Sequence, residues 1–151
     1  MVSNASALIA LEDIGLLDRV APILSECVIP PAVEREIAPT VRRRNWIEVR
    51  PLSRAIESRV VRASLDPGET ETIGLALELG THHVVLDERP ARTVAANLGL
   101  PVIGAIGILV LAKQSGILPV VRPHLESLRA TGFFVSEPLF EHALAIADET
   151  G

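Results

Sequence analysis

His82-His83-Val84-Val85-Leu86-Asp87-Glu88-Arg89-Pro90-Ala91-Arg92 is the stretch on which the reading of this chain turns. The run through Leu86 is apolar and rich in valine, which suits a buried strand. Asp87 stands where that run stops. Pro90 suits the first turn of a helix, and Ala91, Val94, Ala95 and Leu98 repeat with helical spacing. Strand, carboxylate, helix is how an α/β fold presents a functional residue. Ligands of open parallel sheets sit just outside the carboxyl ends of the strands.

Upstream, Val2-Ser3-Asn4 reads as a short opening strand, and Ser6 is placed to cap a helix over 7–11. Gly15 breaks that helix, and 16–20 starts a second. Cys27-Val28-Ile29 is a strand, and Pro31 opens a helix over 32–38. Residues 39–45 read as a loop carrying Arg42-Arg43-Arg44, 46–49 as a third strand, and 53–63 as a helix. Asp66-Pro67-Gly68-Glu69 is a helix start, with Asp66 as N-cap, Pro67 at N1 and Glu69 at N3, and Gly80 ends that helix. Downstream, 101–103 is a strand, and 105–114 is a helix apolar nearly all round. Leu118-Pro119 opens a helix through 128, 133–135 is a last strand and 138–147 a last helix. Strands alternating with helices predict a parallel sheet covered on both faces. No repeat, low-complexity tract or long linker divides the chain, so 1–151 reads as one domain.

Hydrophobic residues make up 48% of the 151, enough for a real core. Aromatics are only 3%, so leucine, isoleucine, valine and alanine must build it. The single cysteine, Cys27, cannot pair within the chain, which fits a reducing compartment. No charged n-region followed by an apolar run opens the sequence, and a cytoplasmic protein is expected. The longest apolar stretch, 98–112, is broken by Gly99, Pro101, Gly104 and Gly107, so no membrane span is expected. The net charge of −5 argues against a default nucleic-acid binder. Binding of a polyanion would need local basic patches and a metal to offset the acidic side chains.

Among candidate functional residues, Glu69 has the sharpest geometry. Ile73, Ala76 and Leu77 lie at i+4, i+7 and i+8, so Glu69 shares their apolar face, while Glu71 and Glu78 point away. A carboxylate on the core side is costly unless a partner such as a metal satisfies it. Glu69 also fits a capping box, which would account for it without a ligand. Asp87 either caps the following helix or faces a site at the strand end. Asn4, at another strand end, either satisfies turn backbone or serves the same site. Ser6 caps its helix, or braces a ligand or a phosphate. Glu34 and Glu36 flank the Val33/Ile37 stripe symmetrically, and periodicity does not choose between them. Arg42, Arg43 and Arg44 form either a solvated run or a phosphate grip. Arg92 lies near enough to Asp87 to pair with it or with a substrate phosphate. His82 and His83 would face opposite ways on a strand and cannot share one metal. The chain has no P-loop, no G-x-S-x-G elbow and no G-x-G-x-x-G.

Four stretches, in order, resemble the motifs of PIN domains. They are Val2-Ser3-Asn4-Ala5-Ser6, Ile29-Pro30-Pro31-Ala32-Val33-Glu34-Arg35-Glu36, Leu65-Asp66-Pro67-Gly68-Glu69 and Val85-Leu86-Asp87-Glu88-Arg89-Pro90-Ala91-Arg92. The Gly-Glu form of the third is similar to a prokaryotic branch of PIN-like proteins. The resemblance implies a three-layer α/β/α sandwich with a mainly parallel sheet. It implies an acidic site of Asn4, Glu36, Glu69 and Asp87, with Ser6 nearby, so that Glu36 rather than Glu34 is the site residue. It further implies Mg²⁺- or Mn²⁺-dependent cleavage of RNA, with Glu36, Glu69 and Asp87 catalytic and Ser6, Arg92 and Arg42–Arg44 toward the substrate. Many relatives are toxins of VapBC-type pairs, often homodimers silenced by a small antitoxin. Asn4 departs from the pattern, because an aspartate is usual there. An amide oxygen ligates Mg²⁺ without adding charge, so weaker metal binding is expected. The alternative is a catalytically impaired module that binds nucleic acid or protein. A phosphatase using Asp87 as nucleophile fits less well, since Arg89 stands where a second aspartate would.

Overall fold

The structure is a computed structural model and describes residues 1–80 and 83–150. Five short strands form one parallel sheet: β1 (Val2–Ser3), β2 (Cys27–Ile29), β3 (Ile47–Val49), β4 (Val84–Val85) and β5 (Val102–Ile103), in the order β3-β2-β1-β4-β5. Val2 lies between Val28 and Val84, and Ser3 lies beside Val85. Parallel neighbours need crossovers, and helices supply them. Between strands lie α1 (Ala5–Asp13), α2 (Pro31–Ile37), α3 (Ser58–Arg62), α4 (Pro67–Leu79) and α5 (Arg89–Asn97), and after β5 follow α6 (Ala105–Gln114), α7 (Arg122–Ala130) and α8 (Glu137–Ile146).

The two faces of the sheet carry separate cores, as strand alternation requires. Cys27, Ile29, Val85 and Ile103 face one core with residues of α1, α2, α6, α7 and α8. Val2, Val28, Val84 and Leu86 face the other, with Val60, Ile73, Ala76, Ala91 and Ala95 from α3, α4 and α5. This is the α/β/α sandwich that the motifs implied. Burial pushes the Cys27 thiol up to about 11, so it serves as a core residue. Among the described residues no helix is long and apolar enough to cross a membrane.

Four local expectations are corrected. Residues 16–20 form turns rather than a helix, although Leu16, Leu17 and Val20 are buried as a helical stripe would be. The helix expected over 53–63 shrinks to α3, and the N–H groups of Ser53 and Arg54, outside it, donate to Glu78 on α4. The helix expected from Leu118 starts at Arg122, where Glu149 accepts the N–H groups of Val121 and Arg122. Residues 133–135 are not a strand: Phe134 is exposed, and the Val135 carbonyl is taken by the Arg129 guanidinium. Of the expected strand 82–86, β4 covers Val84–Val85, and His82 lies outside the described residues.

Candidate functional site

From β1 the chain winds outward to β2 and β3, then returns to place β4 on the other side of β1. The β1/β4 boundary is therefore the topological switch point, and the crevice beyond its carboxyl ends is the natural binding place. Asn4 directly follows β1, and Asp87 follows β4 by two residues. The Asn4 N–H donates to the Val85 carbonyl at 3.0 Å, which ties the two strand ends together.

Asn4 occupies the N-cap position of α1, yet its side chain makes no cap hydrogen bond. It is only 5% exposed, and Oδ1 is a buried oxygen with no partner. An orphaned buried acceptor costs about 1–3 kcal/mol, so turn satisfaction does not account for this side chain. Oδ1 instead faces Gly68 in the first turn of α4. A Cβ on Gly68 would lie 3.1 Å from Asn4 Oδ1, 3.0 Å from Glu36 Oε1 and 3.5 Å from Asp66 Oδ1. Three acceptors thus gather where glycine leaves room. Periodicity leaves Glu34 and Glu36 equal; it is Glu36 whose oxygen borders the same space over Gly68 as Asn4 Oδ1. Burial, with the Asp66 charge added, pushes the Glu36 carboxyl above its usual value.

Glu69 is 6% exposed, and Ile73 and Ala76 on the same face are fully buried. Glu69 therefore lies on the core side of α4, and it also completes the capping box. Its N–H donates to Asp66 Oδ1 at 2.7 Å, and its Oε1 accepts from the Asp66 N–H at 3.4 Å, a complete capping box. Burial first, then the charges of Asp66 and Glu88, still raise its carboxyl above the usual range. Glu71 and Glu78, on the other sides of α4, brace neighbours: Glu71 Oε1 accepts the Ala32 N–H at the start of α2.

Asp87 does not cap the helix that follows it; Glu88 holds the N-cap position of α5. Asp87 Oδ1 accepts the Ala105 N–H at 2.9 Å, and Oδ2 accepts from Ser6 Oγ at 3.3 Å. Ser6 therefore sits inside α1 as a brace for Asp87, not as the cap of its own helix. Burial raises the Asp87 carboxyl above its usual value, opposed by these two donors and by the nearby Arg92 charge. Arg92 Nη1 donates to the Leu86 carbonyl at 2.7 Å, so it stands beside Asp87.

A family model described as a PIN domain matches residues 1–149. The chain belongs to the PIN domain family. No curated protein and no solved structure matches it. PIN domains are a nuclease fold whose members generally use divalent metal ions.

In this PIN domain the four motif positions all reach the switch-point end of the sheet, but they do not close into one cage. Among the described residues no three His, Cys, Asp or Glu side chains stand together as an ion site. The reason is local. Asn4 holds the position beside Glu36, Glu69 is drawn to the Asp66 N–H, and Asp87 to Ser6 and Ala105. The buried Asn4 oxygen without a partner and the space over Gly68 nevertheless suit a hard cation, which takes oxygen ligands and keeps several waters.

In the arginine loop the Arg44 side chain is 8% exposed and grips Glu12 and Asp18, so its guanidinium is committed within the chain. Glu12 lies eight residues along α1 from Asn4, about 12 Å at 1.5 Å per residue. The run is thus anchored at the far end of α1 from the acidic residues. Arg42 is exposed and faces Asp18 at 3.6 Å, and Arg43 is exposed. Sequence reasoning passed over Asp66, read only as a cap, and over Gly68 and Gly104. Nothing in local spacing marks a glycine whose missing side chain makes room for a distant oxygen.

Proposed function

We propose that this PIN domain is a divalent-metal-dependent ribonuclease acting through Asn4, Glu36, Glu69 and Asp87. The observation that carries the reading is Asn4 Oδ1, buried without a partner and bordering the same space over Gly68 as Glu36 Oε1. Asn4 and Glu36 would hold Mg²⁺ or Mn²⁺, with Glu69 and Asp87 flanking it. When bound, such an ion lowers the pKa of water and offsets charge on a phosphate. Ser6 and the Ala105 N–H fix the Asp87 carboxylate in one orientation. Glu69, whose carboxyl burial and the Asp66 charge raise, would be the group that takes a proton from the attacking water. Arg92 offsets the Asp87 charge at the rim a phosphate would approach. Cleavage of the phosphodiester breaks the P–O bond to the leaving ribose oxygen as water adds at phosphorus. The resemblance to VapBC-type toxins supports a homodimeric, cytoplasmic toxin silenced by a small antitoxin protein.

One observation favours a second reading. With asparagine at position 4 the site lacks a carboxylate, and the fold would then serve as an impaired module that binds RNA or a protein. The two are separated by an assay on single-stranded RNA with Mn²⁺, with EDTA, and with Asp87→Ala as control. Cleavage that needs Mn²⁺ and is lost in Asp87→Ala carries the ribonuclease reading. RNA retained on a filter without cleavage carries the binding module, and equal cleavage by both proteins would sink the nuclease assignment.

A further inference from the structure

Asp66 lies outside the four motif positions, and its sequence role is only to cap α4. In the folded chain its Oδ1 shares the space over Gly68 with Asn4 Oδ1 and Glu36 Oε1, at 3.5, 3.1 and 3.0 Å from the point a Cβ would occupy. All three atoms are acceptors. Asn4 is more than nine-tenths buried, and its Oδ1 has no donor. Acceptors bordering one space repel one another, and a cation between them reverses that.

We propose that Asp66 is a ligand of a divalent cation held over Gly68 with Asn4 and Glu36, and that it supplies the negative charge position 4 lacks. The inference rests on the metal-dependent reading above and adds to it a residue of this chain's own. Asp66 is exposed, so its carboxylate can serve an ion without the cost of a buried charge. Its bond from the Glu69 N–H at 2.7 Å uses one lone pair of Oδ1 and orients the group. Two carboxylates, one amide oxygen and waters match the ligand set of a hard divalent ion. Gly68 is then a requirement of the site, because any side chain there would fill the space the ion occupies.

The test is calorimetric titration of the full chain with Mn²⁺, with a thermal melt of each variant to show that it folds. Asp66→Asn keeps a good N-cap and removes the charge. It is expected to weaken Mn²⁺ binding about tenfold or more, since ligand charge sets affinity at such sites. Asn4→Asp in the Asp66→Asn background returns the charge and is expected to recover most of the loss. Gly68→Ala is expected to weaken binding while the protein stays folded. Mn²⁺ bound equally by the chain with and without Asp66→Asn overturns the role of Asp66 and leaves the metal-dependent reading standing. No Mn²⁺ binding by the chain or by Asn4→Asp overturns both.

Discussion

Gly104 and Asp87 are in such close approach that a Cβ on the glycine would lie 2.6 Å from Asp87 Oδ1 and 3.0 Å from Arg92 Nη1. The glycine backbone is extended, with φ −111° and ψ −177°, so conformation does not demand glycine here; space does. Gly104 is the residue before α6, and Asp87 Oδ1 accepts the first N–H of that helix, from Ala105. One carboxylate therefore joins the end of β4 to the start of α6 and is aimed by the missing side chain.

Gly104→Ala should push Asp87 off the Ala105 N–H and leave a buried carboxylate and a helix donor without each other. The expected loss is about 1–3 kcal/mol of stability, read by urea unfolding. Any metal-dependent nuclease rate should fall as it does in Asp87→Ala. An unchanged unfolding midpoint would show that the contact relaxes freely and does not hold Asp87.

Glu69→Gln should stabilise the metal-free protein. Burial and the Asp66 charge raise the Glu69 carboxyl in the folded state. A raised carboxyl costs nothing below its unfolded value, about pH 4, and opposes folding increasingly as pH climbs through the folded value. Glutamine keeps the oxygen that the Asp66 N–H needs and carries no charge. The gain expected at pH 7.5 is about 0.5–2 kcal/mol, as for other relieved active sites, and it should vanish near pH 4. Thermal melts with EDTA at the two pH values measure it; a lower midpoint at pH 7.5 contradicts the assignment.

Asn4→Asp should do the reverse without metal and the opposite with it. A carboxylate beside Glu36 and Asp66 adds repulsion in a buried position, so the metal-free melting midpoint should drop. With Mn²⁺ the extra charge should tighten binding about tenfold or more and raise any nuclease rate. Titration with Mn²⁺ reads the affinity, and absence of any gain would remove Asn4 from the site.

Arg44→Met tests whether Arg44 serves the fold through Glu12 and Asp18 or serves a substrate phosphate. Arg44 holds the Glu12 carboxyl below its usual value. A lowered carboxyl stabilises the fold above its unfolded value and loses that contribution as pH falls through the folded one. The variant should lose about 1–3 kcal/mol at pH 7, and the gap should narrow below about pH 4. RNA retained on a filter should change little, since Arg44 is turned toward Glu12 and Asp18. A large loss of RNA with unchanged stability would restore the phosphate grip.

Local chemistry made much of this protein legible from its residues. Proline at N1 and a left-handed glycine mark the two ends of α4, and β-branched residues mark β2 and β4, because those signals act within a few residues of themselves. The capping box of Asp66 and Glu69 was legible for the same reason. Segments tied to a distant group were not: Glu78 takes the N–H groups of Ser53 and Arg54, Glu149 those at the start of α7, and Arg129 the Val135 carbonyl. The site divides along the same line. That Asn4 and Asp87 stand at strand ends follows from pattern alone. That Asn4 faces Glu36 and Asp66 over Gly68, while Asp87 turns to Ser6 and Ala105, was decided by how the helices pack at the β1/β4 boundary. Side chains 30 to 80 residues apart in the chain have no local term that aims one at another; only the packed sheet and its crossovers bring them into range.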